Sequence, residues 1–159
     1  MIETFADDPA NRWRFFTDAV MGGVSSGQLS FDRDDHRSWA KMTGTVSTAN
    51  NGGFIQMQMR LSAPFPAGTG GVRLVTRGGG HGYFIHLRAT GASTPTAFHR
   101  AGFAVTPEWR EILLPFSKFT QANRSVPVLG EGTGIATVAV VAYGRNFQAD
   151  VSVSEIGFY

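Results

Sequence analysis

Apolar and polar residues alternate along the middle of this 159-residue chain. Between positions 53 and 61 every second residue is apolar, namely Ile55, Met57, Met59 and Leu61. A period of two is typical of a β-strand that turns one face to the core and the other to water. The pattern therefore predicts a half-buried strand here.

Similar strand patterns recur roughly every 8–15 residues, with glycine, proline or Asn/Asp between them, which is typical of a sandwich or barrel. The segment 134–143 is apolar on both faces apart from Thr137, and this predicts a central strand. We predict a single all-β domain over residues 1–159. Its other strands are expected at 13–16, 28–32, 39–46, 72–77, 83–88, 98–105, 109–114 and 151–159.

The segments between the predicted strands also allow structural predictions. Residues 78–82 (GGGHG) are expected to form a hairpin turn, and Gly44 a bulge. Residues 116–131 form the longest irregular segment, where function could lie. Helical periodicity is nearly absent, with at most one or two turns near 18–21 or 117–120.

Two clusters of glycine and small polar residues stand out, at 17–27 and at 50–54. Such clusters indicate backbone shapes that few other residues adopt. We expect Asp18 and Asn51 to hydrogen-bond loop backbone and so join the two clusters. The residues assigned to this structural motif are Asp18, Met21, Gly22, Gly23, Ser25, Asn50, Asn51, Gly52 and Gly53.

Composition excludes several classes of protein. The chain has no cysteine, which excludes disulfides and thiolate chemistry. Its N-terminal residues do not resemble a secretory signal, and we expect a cytoplasmic protein. No apolar run approaches the roughly 20 residues of a transmembrane helix. The net charge is only +2 and the arginines are scattered, so we do not expect nucleic-acid binding.

The sequence gives no support for catalysis. It lacks a Gly-x-Ser-x-Gly nucleophile elbow followed by a helix. Its four histidines, His36, His81, His86 and His99, are dispersed and form no metal-ligand pair. We therefore predict no catalytic residues, no metal and no cofactor.

One group of polar and aromatic residues forms a candidate binding face. If the strands at 54–60 and 83–88 are neighbours, their outward side chains share one surface. Arginine, amide and aromatic side chains suit a sugar, an acidic ligand or a protein partner, although an ordinary solvated face would look similar. The predicted face consists of Phe54, Gln56, Gln58, Arg60, Arg77, Phe84, His86 and Arg88.

The motifs resemble those of the complex I intermediate-associated protein family, which includes the thirty-kilodalton assembly factor of mitochondrial NADH:ubiquinone oxidoreductase. The opening motif lies at 16–27 (FTDAVMGGVSSG) and the second at 50–54 (NNGGF). Later matches follow in order at 83–88 (YFIHLR), 108–109 (EW) and 114–119 (LPFSKF). The resemblance extends over roughly residues 13–159. Residues 121–127 differ from the arginine- and glycine-rich stretch that usually follows in the family.

The resemblance implies a galactose-binding-domain-like β-sandwich or jelly roll, similar to family 11 carbohydrate-binding modules. It implies a non-catalytic, chaperone-like assembly protein, with complex I subunits or assembly factors as partners. The chain looks like a bare, bacterial single-domain member. A module that recognises a glycan is the alternative, and an enzyme comes third.

Overall fold

The structure, a computed structural model, is built from β-strands and describes residues 2–61, 63, 65–80, 82–91, 97–121, 129 and 134–159. Helical structure in these ranges is confined to 3₁₀ turns at Pro9–Asn11, Asp18–Met21, Ala49–Asn51 and Phe116–Lys118. The all-β prediction is confirmed. The described strands are β1 (Ile2–Glu3), β2 (Trp13–Thr17), β3 (Ser26–Arg33), β4 (Ser38–Val46), β5 (Phe54–Arg60), β6 (Gly71–Gly79), β7 (Gly82–Ala89), β8 (Phe98–Ala104), β9 (Arg110–Pro115), β10 (Thr120–Gln121), β11 (Ile135–Tyr143) and β12 (Phe147–Phe158).

These strands form two sheets. Sheet 1 has the order β3–β4–β12–β6–β9, with β1 also paired to β12. Sheet 2 has the order β10–β8–β7–β11–β5–β2. Every pairing is antiparallel. The predicted antiparallel sandwich is therefore confirmed.

The core lies between the inner faces of the two sheets. In β5, Ile55, Met57 and Met59 are buried while the intervening residues are not, as the alternation predicted. Fully burying one such side chain contributes about 1.5–3 kcal/mol. Other fully buried core side chains include Met42, Leu74, Tyr83, Ile85, Leu87, Val138, Val140, Val151 and Val153.

The strand β11 is central in sheet 2, as its apolar pattern predicted. It lies between β7 and β5. Val138 and Val140 belong to the core, and Ala139 and Val141, on the other side of the strand, are also buried. Side chains of the neighbouring strands must therefore cover β11 on its outer side.

The turn at 78–82 is not a hairpin. The strands on either side of it lie in different sheets, because β6 pairs with β12 and β9 while β7 pairs with β11 and β8. Gly78 has a φ of +156°, and a Cβ added there would lie 2.1 Å from the carbonyl oxygen of Asp150 in β12. Glycine thus permits β6 to lie close against β12 just before the chain crosses to sheet 2. His81 lies outside the described residues.

Gly44 is not a bulge either. It pairs in register with Gly27 of β3 and Ala149 of β12. A Cβ on Gly44 would lie 2.7 Å from the Cα of Gly27, so the two glycines allow a close approach of β3 and β4.

Of the predicted irregular segment 116–131, only residues 116–121 and 129 are described.

The short β1 brings a buried carboxylate into the fold. Glu3 accepts hydrogen bonds from the backbone N–H of Phe5, from Nε and Nη2 of Arg12 and from Nε1 of Trp13. Burial by itself raises the pKa of Glu3, but these bonds and the charge of Arg12 outweigh it and leave the pKa below its ordinary value. Glu3 therefore stabilises the N-terminal segment as an ion.

No helix in the described ranges is long and apolar enough to cross a membrane.

Candidate binding site

Asp18 lies between the two glycine-rich segments and bonds to both. Its side chain is 0% exposed. Oδ1 accepts from the backbone N–H of Ser25 at 2.9 Å, and Oδ2 accepts from the Ser25 hydroxyl at 2.6 Å. Oδ2 also accepts from the backbone N–H groups of Gly53 at 2.5 Å and Phe54 at 3.3 Å. Four donors thus replace the water that a buried carboxylate loses.

The pKa of Asp18 reflects this environment. Burial by itself raises it, but the Ser25 hydroxyl and the N–H groups of Gly53, Ser25 and Phe54 outweigh burial and hold the pKa below its ordinary value. Asp18 is therefore ionised at neutral pH. Its bonds all go to the two segments, so its charge is used to hold them together.

Glycine is required where the backbone approaches Asp18. A Cβ on Gly23 would lie 2.4 Å from Cγ of Asp18, and a Cβ on Gly52 would lie 2.4 Å from its Oδ2. Gly22 has a φ of +85° and ends the 3₁₀ turn in the left-handed region. The motif glycines therefore allow the two segments to close around one carboxylate.

Asn50 provides a second link between the segments. Its Nδ2 donates to the carbonyl oxygen of Gly22 at 3.4 Å, so Asn50 has the bridging position that was predicted for Asn51. Both asparagines adopt a left-handed φ of 58°, a conformation that asparagine tolerates better than most residues. Ser25 Oγ also accepts from the backbone N–H of Ser47 at 2.9 Å.

The loop that Asp18 holds in place exposes apolar side chains. Val20 is 72% exposed, Met21 64% and Val24 55%. Large apolar side chains that are this exposed are unremarkable when scattered, but here three lie within five positions. The motif therefore combines a buried polar support with an apolar outer surface.

The predicted face is largely assembled, because β5 and β7 lie on either side of β11. Ala139 of β11 pairs with Gln58 on one side and with His86 on the other. The same arrangement repeats at the other outward positions, as Gln56–Val141–Phe84, Arg60–Thr137–Arg88 and Phe54 beside Tyr143.

Arg77 does not join this face, and its assignment there was wrong. It belongs to β6 in sheet 1, because β6 pairs with β12 and β9 and not with a strand of sheet 2. Its guanidinium carbon lies 5.1 Å from the ring centroid of Trp39 and 4.6 Å from that of Trp109. Arg37 lies 4.9 Å from the Trp109 ring. These four residues form a cation–π cluster on sheet 1.

Two further arginines extend the face on sheet 2. Arg14 of β2 pairs with Gln58, and Arg100 of β8 pairs with His86. The described strands of sheet 2 contain no aspartate or glutamate, whereas those of sheet 1 contain five. We call this outer surface the arginine face; its members are Arg14, Phe16, Phe54, Gln56, Gln58, Arg60, Phe84, His86, Arg88, Phe98, Arg100, Thr137 and Tyr143.

His86 is an aromatic member of this face and carries no charge at neutral pH. Its ring stacks on Phe98 with centroids 4.2 Å apart and an interplanar angle of 13°. Burial, and secondarily the charge of Arg100, lowers the pKa of His86 to about 3. The positive charge of the face therefore comes from arginine alone. Arg100 itself lies over the rings of Phe84 and Tyr143.

A shallow groove runs across the arginine face. One depression of about 600 Å³ is lined in part by Gln58, Arg60 and Arg88. A second, of about 530 Å³, is lined in part by Arg14 and Val20 and shares Gln58 and Arg60 with the first. We call residues 18–25, between β2 and β3, the motif loop. The groove therefore extends from the motif loop, across β5, to the end of β7.

The described residues contain no group of three or more histidine, aspartate or glutamate side chains arranged to hold a metal ion.

The fold is similar to that of jelly-roll carbohydrate-binding modules. A family 11 module from Clostridium thermocellum, solved with a β-1,3-1,4-mixed-linked tetrasaccharide, is 13% identical, with 91% of this chain and 86% of that chain covered and a TM-score of 0.70. The solution structure of CtCBM11 is 14% identical, with 99% and 92% covered and a TM-score of 0.71. A family 30 module is 12% identical, with 86% and 92% covered and a TM-score of 0.58.

The chain belongs to the complex I intermediate-associated protein 30 family, whose model matches residues 3–143. The resemblance found in the motifs is thereby confirmed. The match includes both glycine-rich segments and all strands from β2 to β11. No curated protein matches the sequence significantly.

Arg14, Arg100, Val20 and Val24 were not among the residues predicted from the sequence, and Met21 was assigned only a structural role. The lack of acidic residues in 13–17, 54–60, 82–89, 98–104 and 135–143 is visible in the sequence. It becomes informative only once these segments are known to form one sheet.

Proposed function

We propose that this protein is a non-catalytic assembly protein that binds an acidic segment of a partner polypeptide on the arginine face. The partner is a subunit or an assembly factor of respiratory complex I. Membership of the complex I intermediate-associated protein 30 family supports the biological role. The observation that carries the binding site is the surface of sheet 2, whose described strands contain four arginines and no aspartate or glutamate.

Arginine on a sheet is suited to this task. The guanidinium group stays protonated at all physiological pH values and can donate two parallel hydrogen bonds to one carboxylate. Arg60 and Arg88 lie two strands apart, which places their backbones about 10 Å from each other. A polypeptide lying along the groove can therefore meet several guanidinium groups at once.

The test is affinity purification of tagged protein from its native cell, with complex I subunits quantified by mass spectrometry. Wild type is compared with the double variant Arg14→Ala, Arg60→Ala. Both side chains are exposed, so their loss is expected to leave the fold intact. We expect recovery of complex I subunits to fall at least tenfold, because two charge-assisted contacts are lost.

A matched control removes the same charge elsewhere. In the variant Arg33→Ala, Lys118→Ala the residues are also exposed but lie outside sheet 2. This variant should recover complex I subunits as wild type does. Equal recovery by all three proteins would contradict the assigned face, and the absence of complex I subunits from the wild-type sample would contradict the assembly role.

A glycan is the second candidate, favoured by the aromatic side chains Phe16, Phe54, Phe84 and Tyr143 beside Gln56 and Gln58 on the same face. Aromatic rings offer apolar platforms for sugar rings, and amides bond hydroxyl groups. Calorimetric titration with the β-1,3-1,4-mixed-linked tetrasaccharide tests it directly. Saturable heat that disappears in the Phe54→Ala variant would support glycan binding, and a flat titration would dismiss this sugar.

A further inference from the structure

Val20, one of the exposed apolar residues of the motif loop, lies at one end of the groove. Val20 lines the same depression as Arg14, Gln58 and Arg60. Met21 follows Val20 directly and is 64% exposed. Apolar and cationic groups are therefore neighbours on one continuous surface.

The motif loop is held in place by the buried side chain of Asp18. The carboxylate of Asp18 accepts four hydrogen bonds from it and from the second segment. Gly23 and Gly52 have no room for a Cβ next to that carboxylate. A loop held this way loses little conformational entropy when a partner covers it, because its shape is already set.

We infer that the motif loop is the apolar end of the partner site. The geometry points to a polypeptide segment with apolar side chains at one end, which cover Val20 and Met21, and carboxylates along the rest, which meet Arg14 and Arg60. This inference rests on the proposed function of the arginine face and adds the chemistry of the partner segment. The motif is thus both a structural support and a contact surface.

Two properties of the groove support this occupant over others. A purely acidic segment would leave Val20 and Met21 in water, whereas a purely apolar segment would bury the guanidinium groups of Arg14 and Arg60 without a partner. Burying an unpaired charge is costly. Only a segment that combines both features satisfies the loop and the arginines together.

The experiment uses three synthetic twelve-residue peptides and the full chain with ¹³C-labelled valine and methionine methyl groups. The first peptide carries three leucines at one end and three glutamates along the rest, with serine and glycine elsewhere. The second has serine in place of the leucines, and the third has glutamine in place of the glutamates. NMR titration follows the methyl signals of Val20, Met21 and Val24, and fluorescence anisotropy gives the affinities.

We expect the first peptide to shift the methyl signals of Val20 and Met21 and to bind at least about tenfold more tightly than the other two, since each lacks one type of contact. The variant Val20→Ser, Met21→Ser should weaken the first peptide about tenfold and leave the second unchanged. The control Leu113→Ser removes an exposed apolar side chain from sheet 1 and should change nothing. Unchanged methyl signals elsewhere show that each variant is folded.

The outcomes separate the two proposals. If the first two peptides bind equally and Val20→Ser, Met21→Ser has no effect, the loop is not a contact surface. In that case, a loss of binding in Arg14→Ala, Arg60→Ala would still support the arginine face as the binding site. If the glutamine peptide binds as well as the first, the acidic partner is wrong and the proposed face fails. Binding of none of the peptides at millimolar concentration overturns the partner chemistry as a whole.

Discussion

Asp18 is an internal anion whose hydrogen-bond partners are all donors. In Asp18→Asn one oxygen becomes an NH₂ group that faces these donors, so hydrogen bonds are lost and donors oppose each other. We expect a loss of about 2–4 kcal/mol in the free energy of unfolding, measured by urea denaturation. Asp35→Asn, at an exposed position in the turn before β4, is the control and should change stability by less than about 0.5 kcal/mol.

The same residue sets a pH dependence. The pKa of Asp18 in the folded protein lies below its ordinary value of 3.8. Its stabilisation is therefore complete above that ordinary value and is lost as the pH falls through the folded pKa. Wild type should lose stability below about pH 4, and Asp18→Asn should lose less over the same range. Glu3 acts with the same sign, so some acid sensitivity remains in the variant. Parallel curves for the two proteins would contradict this prediction.

Gly52 offers a test of the close packing around this carboxylate. A Cβ at Gly52 would lie 2.4 Å from Oδ2 of Asp18, whereas a Cβ at Gly79 would have nothing within 4 Å. We expect Gly52→Ala to cost about 1–3 kcal/mol and Gly79→Ala less than about 1 kcal/mol. Thermal unfolding monitored by circular dichroism would compare them. Similar melting temperatures would show that the loop can relax around the added methyl group.

Arg77 links three elements on the outer side of sheet 1, namely β4, β6 and the segment before β9. Its guanidinium contacts the rings of Trp39 and Trp109, which are themselves 5.7 Å apart. A lysine keeps the charge but lacks the planar group that stacks on indole.

We therefore expect Arg77→Lys to reduce the free energy of unfolding by about 0.5–2 kcal/mol and to change tryptophan fluorescence. The matched change Arg33→Lys, at an exposed residue of β3, should do neither. An unchanged fluorescence spectrum and stability in Arg77→Lys would mean that the stacking is energetically unimportant.

Across the whole molecule, charge is divided between the two sheets. In the part of the chain that the structure describes, the strands of sheet 2 contain arginines and no aspartate or glutamate. On sheet 1, by contrast, Arg73 forms ion pairs with Glu111 and Glu155. The screening length falls from about 10 Å at 0.1 M salt to about 3 Å at 1 M. Attraction between the arginine face and an acidic segment should therefore depend strongly on salt.

We expect binding of the leucine–glutamate peptide to weaken several-fold between about 50 mM and about 500 mM NaCl, with a smaller change in Arg14→Ala, Arg60→Ala. Anisotropy titrations at four salt concentrations would measure both slopes. The charge-matched variant Arg33→Ala, Lys118→Ala should keep the wild-type slope. Identical slopes for all three proteins would place the electrostatic contact elsewhere.

The strands and their buried sides were predictable from local pattern. Ile55, Met57 and Met59 alternate with polar residues because side chains in a strand point to opposite faces, and this holds before any partner strand is known. The apolar run that becomes β11 likewise predicted a central position. Motif spacing further identified the family, and the family implied the fold.

The site depended on which strands became neighbours. Arg77 and Arg100 both lie in segments with a strand pattern, and nothing in the sequence shows which sheet each segment joins. In the structure, Arg77 is in β6 of sheet 1 and Arg100 is in β8 of sheet 2. The turn after Gly79 looks like a hairpin and instead carries the chain between sheets, since pairing is decided by contacts distant in sequence.

By itself, then, the sequence determined the all-β class, the inward side of its main strands and the family, because these follow from residue type and short-range spacing. Only the tertiary structure decided that Arg14, Arg60, Arg88 and Arg100 share one face and that Val20 lies at the end of its groove. The physical reason is that a surface is assembled by strand order and register. Both depend on long-range pairing, which no local pattern encodes.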